Sequence, residues 1–348
     1  MRVAAIHGPG DIRIDTVVVP KPGPCEAVVR IEACGICGSD LPRAFGGGAH
    51  FYPVVVGHEA AGEIVAQGSE VKGLQVGDRV AIAPLFPCMA CQSCQQGKYS
   101  LCQSYSFIGS RQQGCMAEYV CVPSKCLLKL PFGVSYEEAA MIEPATVSLH
   151  GLLRVEVAGS RVVVLGVGTI GLLAVQWARF LGASQVVAVD IDDFKLGIAG
   201  KIGADVVINS GKETDQGLAK LREATDGHLA DIVAETAGNP ATQVQSIEVA
   251  ASNGNVLYIG TAEKDVHFPA RTFEQILRKE LNILGSWMSY SPPFPGKEWN
   301  MAIQALAQGR IKVGDLITHR FQLHEAAIAL ETMRSAMNTV KVMLQCSR

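Results

Sequence analysis

An α/β architecture, in which a doubly wound parallel sheet is joined to a mostly-β domain, is what this 348-residue sequence predicts. Two changes of texture carry the prediction. Residues before about 145 read as short β segments set between Gly, Pro and Asp turns, the pattern of an irregular antiparallel domain. From about Gly159, apolar runs of strand length alternate with segments of helical period, which implies right-handed crossovers and a parallel sheet with helices on both faces.

In the first part the expected strands are Glu26–Glu32, Ala60–Gln67, Arg79–Ala83 and Ala117–Val122. In the second, strand Arg161–Leu165 is followed by helix Thr169–Leu181, and Gln185–Val189 by Asp193–Ile202. Val206–Ile208 then precedes helix Thr214–Thr225, Ala230–Glu235 precedes Pro240–Ala251, and Asn255–Ile259 follows as a strand. The alternation fades after Leu281–Leu284, and Ser291-Pro292-Pro293-Phe294-Pro295-Gly296 reads as an exit loop. Helical patterns at Trp299–Gln308 and His324–Met337 and a strand at Val340–Gln345 complete the chain. The expected divisions are residues 1–147 with a cysteine lobe near 86–104, residues 148–287, and a segment 288–348 that returns to the first domain.

Composition narrows the function. A net charge of −3 argues against a nucleic-acid partner, which asks for a clustered basic surplus. No apolar stretch reaches bilayer length and the N-terminus lacks a signal peptide, so a cytoplasmic location without membrane contact is expected. Eleven cysteines, an odd number, favour metal binding or catalysis over a disulfide framework. Cys25, Cys34, Cys115, Cys121, Cys126 and Cys346 have no partner spacing and read as ordinary thiols.

Val162-Val163-Val164-Leu165 runs into Gly166-Val167-Gly168-Thr169-Ile170-Gly171, a G-x-G-x-x-G match in its required strand-to-helix context. Gly166 would make the tight turn, Gly168 would admit a pyrophosphate to the backbone, and Gly171 would let helix and strand pack closely. Thr169 and Ile170 open the helix, whose N-terminal amides favour negative charge. Asp190 ends the next strand, about 20 residues on, where a carboxylate holds ribose hydroxyls and repels a 2′-phosphate. With Ile191 after it instead of an arginine, NAD is expected over NADP. Gly260 and Ser286 are further expected cofactor contacts.

Cys88, Cys91, Cys94 and Cys102 form C-x2-C-x2-C-x7-C, which can close a tetrahedral zinc shell with no open position. An iron–sulfur cluster is the alternative for such a run. Cys37, His58, Glu59 and Glu143 are scattered, yet they offer a thiolate, an imidazole and carboxylates, a mixed set that suits catalytic zinc. Two zinc ions per chain are therefore expected.

A family resemblance joins these features. Gly57-His58-Glu59-Ala60-Ala61-Gly62, with Gly68 and Val71, fits the GHE-x2-G-x5-G-x2-V signature of zinc-containing medium-chain alcohol dehydrogenases, and Cys34-Gly35-Ile36-Cys37-Gly38-Ser39-Asp40 resembles that family's catalytic-cysteine turn. The resemblance implies a GroES-like catalytic domain, a Rossmann domain inserted in it, a cleft active site, and a homodimer or homotetramer. The chain is especially similar to the polyol dehydrogenases in Gly38–Arg43, Gly48–Pro53, Phe107–Arg111 and Leu284–Tyr290. The substrate so implied is a polyol or polyol phosphate, best a phosphorylated hexitol.

On this reading zinc held by Cys37, His58 and Glu143, with Glu59 as a further or exchanging ligand, polarises a secondary alcohol. Ser39 takes the hydroxyl proton, Asp40 orients His58, and the hydride passes to NAD+. Sorbitol-type enzymes have a histidine near position 42. Pro42 stands in that neighbourhood here, so His50 is the nearest candidate for the proton exit. Arg43 and Arg111 are the expected partners of a substrate phosphate, and Trp287 a further substrate contact. Sorbitol, xylitol or aldonate oxidation are alternatives within the family. Outside it stand a catalytically silent binding or structural protein and a zinc-free quinone-type reductase.

Overall fold

The computed structural model describes residues 1–212, 217–262 and 264–347. The chain forms two compact units. One comprises Met1–Glu143, Tyr290–Gly309 and Val313–Arg348; the other comprises Pro144–Ser289 and Arg310–Lys312.

The first unit opens with strands β1 (Arg2–Gly8), β2 (Asp11–Thr16) and β3 (Glu26–Gly35), helix α1 (Asp40–Phe45), and strands β4 (Val54–Val55), β5 (Glu59–Gln67) and β6 (Arg79–Ile82). The cysteine lobe lies between β7 (Leu85–Phe86) and β8 (Ser106–Phe107) and contains the short α2 (Gln92–Gln95). Strands β9 (Tyr119–Pro123) and β10 (Leu127–Lys129) and helix α3 (Tyr136–Ala140) follow, and α4 (Ile142–Leu152) carries the chain into the second unit. There, β11 (Arg161–Leu165), α5 (Thr169–Phe180), β12 (Gln185–Asp190), α6 (Asp193–Ile202), β13 (Val206–Asn209), α7 (Gly217–Ala224), β14 (Ala230–Glu235), α8 (Pro240–Val249), β15 (Ala250–Tyr258), α9 (Ala270–Arg278) and β16 (Asn282–Gly285) alternate. The return segment supplies α10 (Lys297–Ala307), β17 (Ile317–Gln322), α11 (Ala326–Ser335) and β18 (Lys341–Gln345).

The second unit's sheet runs β13-β12-β11-β14-β15-β16, every pairing parallel. Such strands are covered on both faces and must be apolar without alternation. Val162, Val163, Val164 and Leu165 of β11 accordingly have no exposure at all. The first unit's main sheet runs β10-β6-β5-β3-β18-β17, with β9 also on β3, while β2-β1-β4 form a smaller sheet. Strand β18 lies antiparallel on β3 with Leu344 opposite Cys34, so the end of the chain completes a sheet begun near its start.

Close approach of β5 to β3 explains one glycine of the GHE signature. A Cβ on Gly62, which faces Ile31, would sit 1.9 Å from the carbonyl oxygen of Arg30. Gly62→Ala should therefore cost at least the ~3 kcal/mol that marks the upper end of ordinary overpacking. Urea unfolding of the variant measures it, and a loss under about 1 kcal/mol would contradict the packing argument.

The structure departs from sequence expectation in several places. The β1–β2 hairpin and β17 were not foreseen. Glu143 lies in the first turn of α4, where the Pro144 that follows costs no helical hydrogen bond. Asp40 is the first residue of α1, and Ser39 holds the cap position without a side-chain cap bond. Of the helix expected over Thr214–Thr225, residues 214–216 lie outside the described residues. No helix among the described residues is long and apolar enough to cross a membrane.

Candidate active site

The register of β3 with β5 creates the first site. Gly35 pairs with Glu59 and Cys34 with Ala60, so the turn that leaves β3 meets the residues that enter β5. Cys37, His58 and Glu59 each present a ligand atom there, all within 4.8 Å of one another. Glu59 is buried over Gly35, at which a Cβ would lie 2.2 Å from Glu59 Oε2. The Lys341 ammonium donates to both its oxygens, at 2.7 and 2.5 Å, and to the Ile36 carbonyl at 3.0 Å. Lys341 is itself 2% exposed, so the carboxylate and the ammonium form a buried ion pair.

A thiolate, an imidazole and a carboxylate make a donor set that zinc accepts while keeping a position for substrate. The buried atoms support that fit. His58 Nδ1 and Asp40 Oδ1 lie 3.6 Å apart, each without a hydrogen-bond partner. A metal-bound histidine ordinarily gives its other ring N–H to such a carboxylate. Asp40 Oδ2 accepts from the Cys37 amide at 3.1 Å, which fixes the carboxylate to the cysteine turn.

Of the expected set Cys37, His58, Glu59 and Glu143, Glu143 is outside this group of three. It stands half-buried at the start of α4, where burial foremost, opposed by His58 and reinforced by Glu59, pushes its carboxyl up to about 7. Glu59, expected as an exchanging ligand, is the carboxylate in the cluster.

Ser39 Oγ donates to Cys37 Sγ at 3.3 Å and accepts from Arg43 Nη1 at 3.2 Å. Arg43 also donates to the Ser39 carbonyl at 2.5 Å and, through Nη2, to Ser110 Oγ at 3.2 Å. Arg111, next in the chain, is exposed, with its guanidinium 4.4 Å over the Tyr105 ring. His50 is exposed in the loop between α1 and β4, and no hydrogen bond joins it to Ser39 among the described residues. The neighbour of Ser39 is Arg43 instead.

In the cysteine lobe, the sulfurs of Cys88, Cys91, Cys94 and Cys102 also lie within 4.8 Å of one another. Cys88 Sγ and Cys94 Sγ are 3.9 Å apart. Tetrahedral zinc with ~2.3 Å arms would hold two sulfurs about 3.8 Å apart. The amides of Cys88 and Cys91 donate to Cys102 Sγ and Cys88 Sγ, both at 3.3 Å. Backbone amides of Cys94 and Gln103 bring the Cys91 thiol down to about 6, whereas burial foremost pushes that of Cys94 up to about 12. The lobe fits a closed zinc site. It also anchors the return segment, since Tyr99 meets Phe294 edge-on at 5.4 Å and Phe294 stacks on Tyr290 at 5.6 Å.

The second unit carries the glycine loop. Gly166 has φ +84°, a conformation open to glycine, and a Cβ there would meet the Ala237 side chain at 2.5 Å. Gly171 passes so close to the Gly166 carbonyl that a Cβ would lie 1.9 Å from it, whereas Gly168 faces open space. Helix α5 starts at Thr169, just after Gly168, with no side-chain cap bond from the N-cap residue. An uncapped helix start behind an open glycine fits a pyrophosphate. Asp190 Oδ2 accepts from the Val167 amide at 2.7 Å, and Oδ1 accepts from those of Ile191 and Asp192 at 2.7 and 3.0 Å. Ser286 Oγ is buried without a partner, and Trp287 is 51% exposed.

Comparison with known proteins follows the same division. Residues 23–132 match the alcohol dehydrogenase GroES-like domain, and residues 169–308 match the zinc-binding dehydrogenase model. Galactitol 1-phosphate 5-dehydrogenase of Escherichia coli K12 is 42% identical over 332 residues, 94% of this chain and 95% of that protein. The chain belongs to the zinc-binding alcohol dehydrogenases. Human sorbitol dehydrogenase is 35% identical, with 98% of this chain and 94% of that protein aligned. The crystal structure of E. coli galactitol-1-phosphate dehydrogenase superposes with TM-score 0.94 at 40% identity, covering 99% of this chain and 100% of the other. A zinc-binding dehydrogenase of Sinorhizobium meliloti bound to NADP superposes at 0.89 and 32% identity, with coverage of 99% and 98%.

In this zinc-binding dehydrogenase the sequence does announce one residue that motif reading missed. Lys341 interrupts the apolar run Val340-Lys341-Val342-Met343-Leu344 of an expected strand. A lysine inside a buried strand requires a carboxylate partner. Arg43 gave no such signal, because its contact with Ser110 depends on how the β8 loop folds back.

Proposed function

We propose that this chain oxidises a secondary alcohol of a polyol or polyol phosphate to the ketone with NAD+, galactitol 1-phosphate to tagatose 6-phosphate being the favoured pair. The observation that carries the reading is the Cys37–His58–Glu59 cluster, a mixed donor set whose carboxylate is paired with buried Lys341. Zinc in that shell supplies Lewis acidity toward a substrate hydroxyl, and NAD+ supplies the hydride acceptor. Ser39 Oγ, which is exposed, would take the hydroxyl proton as it passes its own to solvent water, and Asp40 aims the His58 ring. Cys88, Cys91, Cys94 and Cys102 hold a second zinc that orders the lobe.

Asp190 supports NAD over NADP, since its carboxylate repels a 2′-phosphate. Of the lysines beyond it, Lys195 pairs with Asp192 at 3.6 Å and Lys212 with Asp193. A dimer or tetramer is proposed through the free edge of β16, where Ile283 is 40% exposed. The free state of all eleven cysteines suits the reducing cytoplasm, the proposed location.

For the phosphate, Arg43 has five N–H donors, and three of its hydrogen bonds are already made within the site. Exposed Arg111 is the freer cation. Arg111→Gln should raise KM for galactitol 1-phosphate about tenfold, the worth of one charge-assisted bond, and leave free sorbitol unaffected. NADH absorbance over a panel of galactitol 1-phosphate, galactitol, sorbitol and galactonate, with NAD+ and NADP+ in parallel, tests the whole reading. Equal kcat/KM with and without phosphate removes the phosphate site, and faster turnover with NADP+ removes the cofactor preference.

A further inference from the structure

The second unit contains a buried carboxylate that the chemistry above does not use. Glu235 ends β14, beside β11 in the sheet, and has no solvent exposure. Its Oε1 accepts three hydrogen bonds, from the amides of Ala237 at 3.0 Å and Gly238 at 2.9 Å and from Thr242 Oγ1 at 2.8 Å. Its Oε2 has no partner. A buried carboxylate oxygen left unpaired is costly, and burial accordingly pushes this acid upward. An apolar side chain would avoid that cost, so the carboxylate is there for what its other oxygen gathers.

What it gathers is the turn behind the glycine loop. Thr236 donates from its amide to the Leu165 carbonyl at 2.9 Å and from Oγ1 to the Gly166 carbonyl at 2.5 Å. Ala237 is the side chain that a Cβ on Gly166 would strike, and Thr236 Oγ1 lies 2.8 Å from where Gly171 would carry one. Gly260 completes the arrangement from the next strand's end. A Cβ there would lie 2.2 Å from the Gly238 nitrogen and 2.9 Å from Glu235 Oε2. Gly260, expected as a cofactor contact, thus has a packing reason to be glycine.

We propose that Glu235 is a positioning residue of the dinucleotide site, its carboxylate shaping the 236–238 turn on which the Gly166–Gly171 loop rests. The inference rests on the nicotinamide-cofactor reading above. Glu235 touches no reacting atom; it sets how well the fingerprint loop is preformed, and hence how much ordering cofactor binding must supply.

The test is NADH affinity by fluorescence titration of the zinc-loaded protein, with steady-state kinetics beside it. Glu235→Leu removes three acceptor bonds and should weaken NADH binding about tenfold or more. The loss should fall on KM for NAD+, not on kcat, with zinc content unchanged. Glu235→Gln keeps an amide oxygen for the same three donors and should restore affinity to within about threefold. A folded Leu variant that binds NADH as the parent does overturns the proposal, as does a Gln variant as weak as Leu. Should Leu fail to fold, Thr242→Val removes one donor and should weaken binding by about threefold, and unchanged affinity there is equally decisive. If the parent itself does not bind NADH, it is the cofactor reading that fails.

Discussion

Lys341→Met lowers the unfolding free energy by about 3–5 kcal/mol, the usual result of deleting one partner of a buried ion pair. The substitution keeps the length and apolar volume of the side chain, so the loss is that of the charge. Glu59 and Lys341 are each only 2% exposed in their side chains, and among the described residues no other donor reaches the Glu59 carboxylate. Without the ammonium, and in zinc-free protein where no metal charge compensates it, the Glu59 carboxylate is left unpaired in a site walled by Gly35 and the sheet. The cost is therefore tied to the anion, and the double variant Glu59→Gln/Lys341→Met should regain about half of it or more. Chemical denaturation of the two single variants and the double measures the coupling. Strict additivity, or a single-variant loss below about 1 kcal/mol, defeats the argument. The pair also gives the return of the chain a purpose. Strand β18 brings residue 341 to residue 59 across 282 positions, so the first site is assembled only when the C-terminal segment has docked on β3.

How far the sequence discloses this molecule depends on the type of physical constraint. The second unit was legible strand by strand, because parallel strands covered on both faces must be unbroken apolar runs and their crossovers must have helical period. The structure extends some of these elements by a residue or a few, as with β15 starting at Ala250, and shortens others, as with α8 ending at Val249. The first unit was less legible. Its β2 strand Asp11–Thr16 is polar and mostly exposed or half-exposed, so it carries no burial pattern to read.

The candidate sites divide similarly. Four cysteines on one loop declare themselves by spacing, since the loop alone closes the shell. The Cys37–His58–Glu59 cluster depends on strand register, which sequence spacing does not encode. Asp40 was foreseen facing His58, whereas the proton exit expected at His50 has no hydrogen bond to begin from among the described residues. The bonds from Arg43 to Ser39 and Ser110 bring together positions 67 apart, and nothing local predicts them.

The two proposed zinc sites should fail in different ways when each is emptied in turn. His58→Ala removes the imidazole from a three-residue cluster, and zinc content should fall from two to one per chain. With the Lewis acid gone, kcat/KM should drop about a thousandfold or more, the several kcal/mol that a metal contributes to developing alkoxide charge. The fold should persist, because β3, β5 and β18 stay paired by backbone hydrogen bonds and Lys341 still neutralises Glu59. Cys94→Ser also removes one zinc, but from a loop whose regular structure is the four-residue α2 and a 3-10 turn at Tyr99–Leu101. Structural zinc of this kind contributes on the order of 10 kcal/mol of apparent binding energy to local order. Its loss should release the lobe and, with it, the Tyr99–Phe294–Tyr290 packing that seats the return segment. The Cys94 variant should therefore show a large fall in Tm and rapid amide exchange across residues 86–104, with activity declining only as the protein unfolds. Zinc analysis, Tm and kcat/KM measured on both variants separate the roles. The assignment collapses if His58→Ala keeps two zinc ions and its activity, or if Cys94→Ser loses activity while its Tm is unchanged.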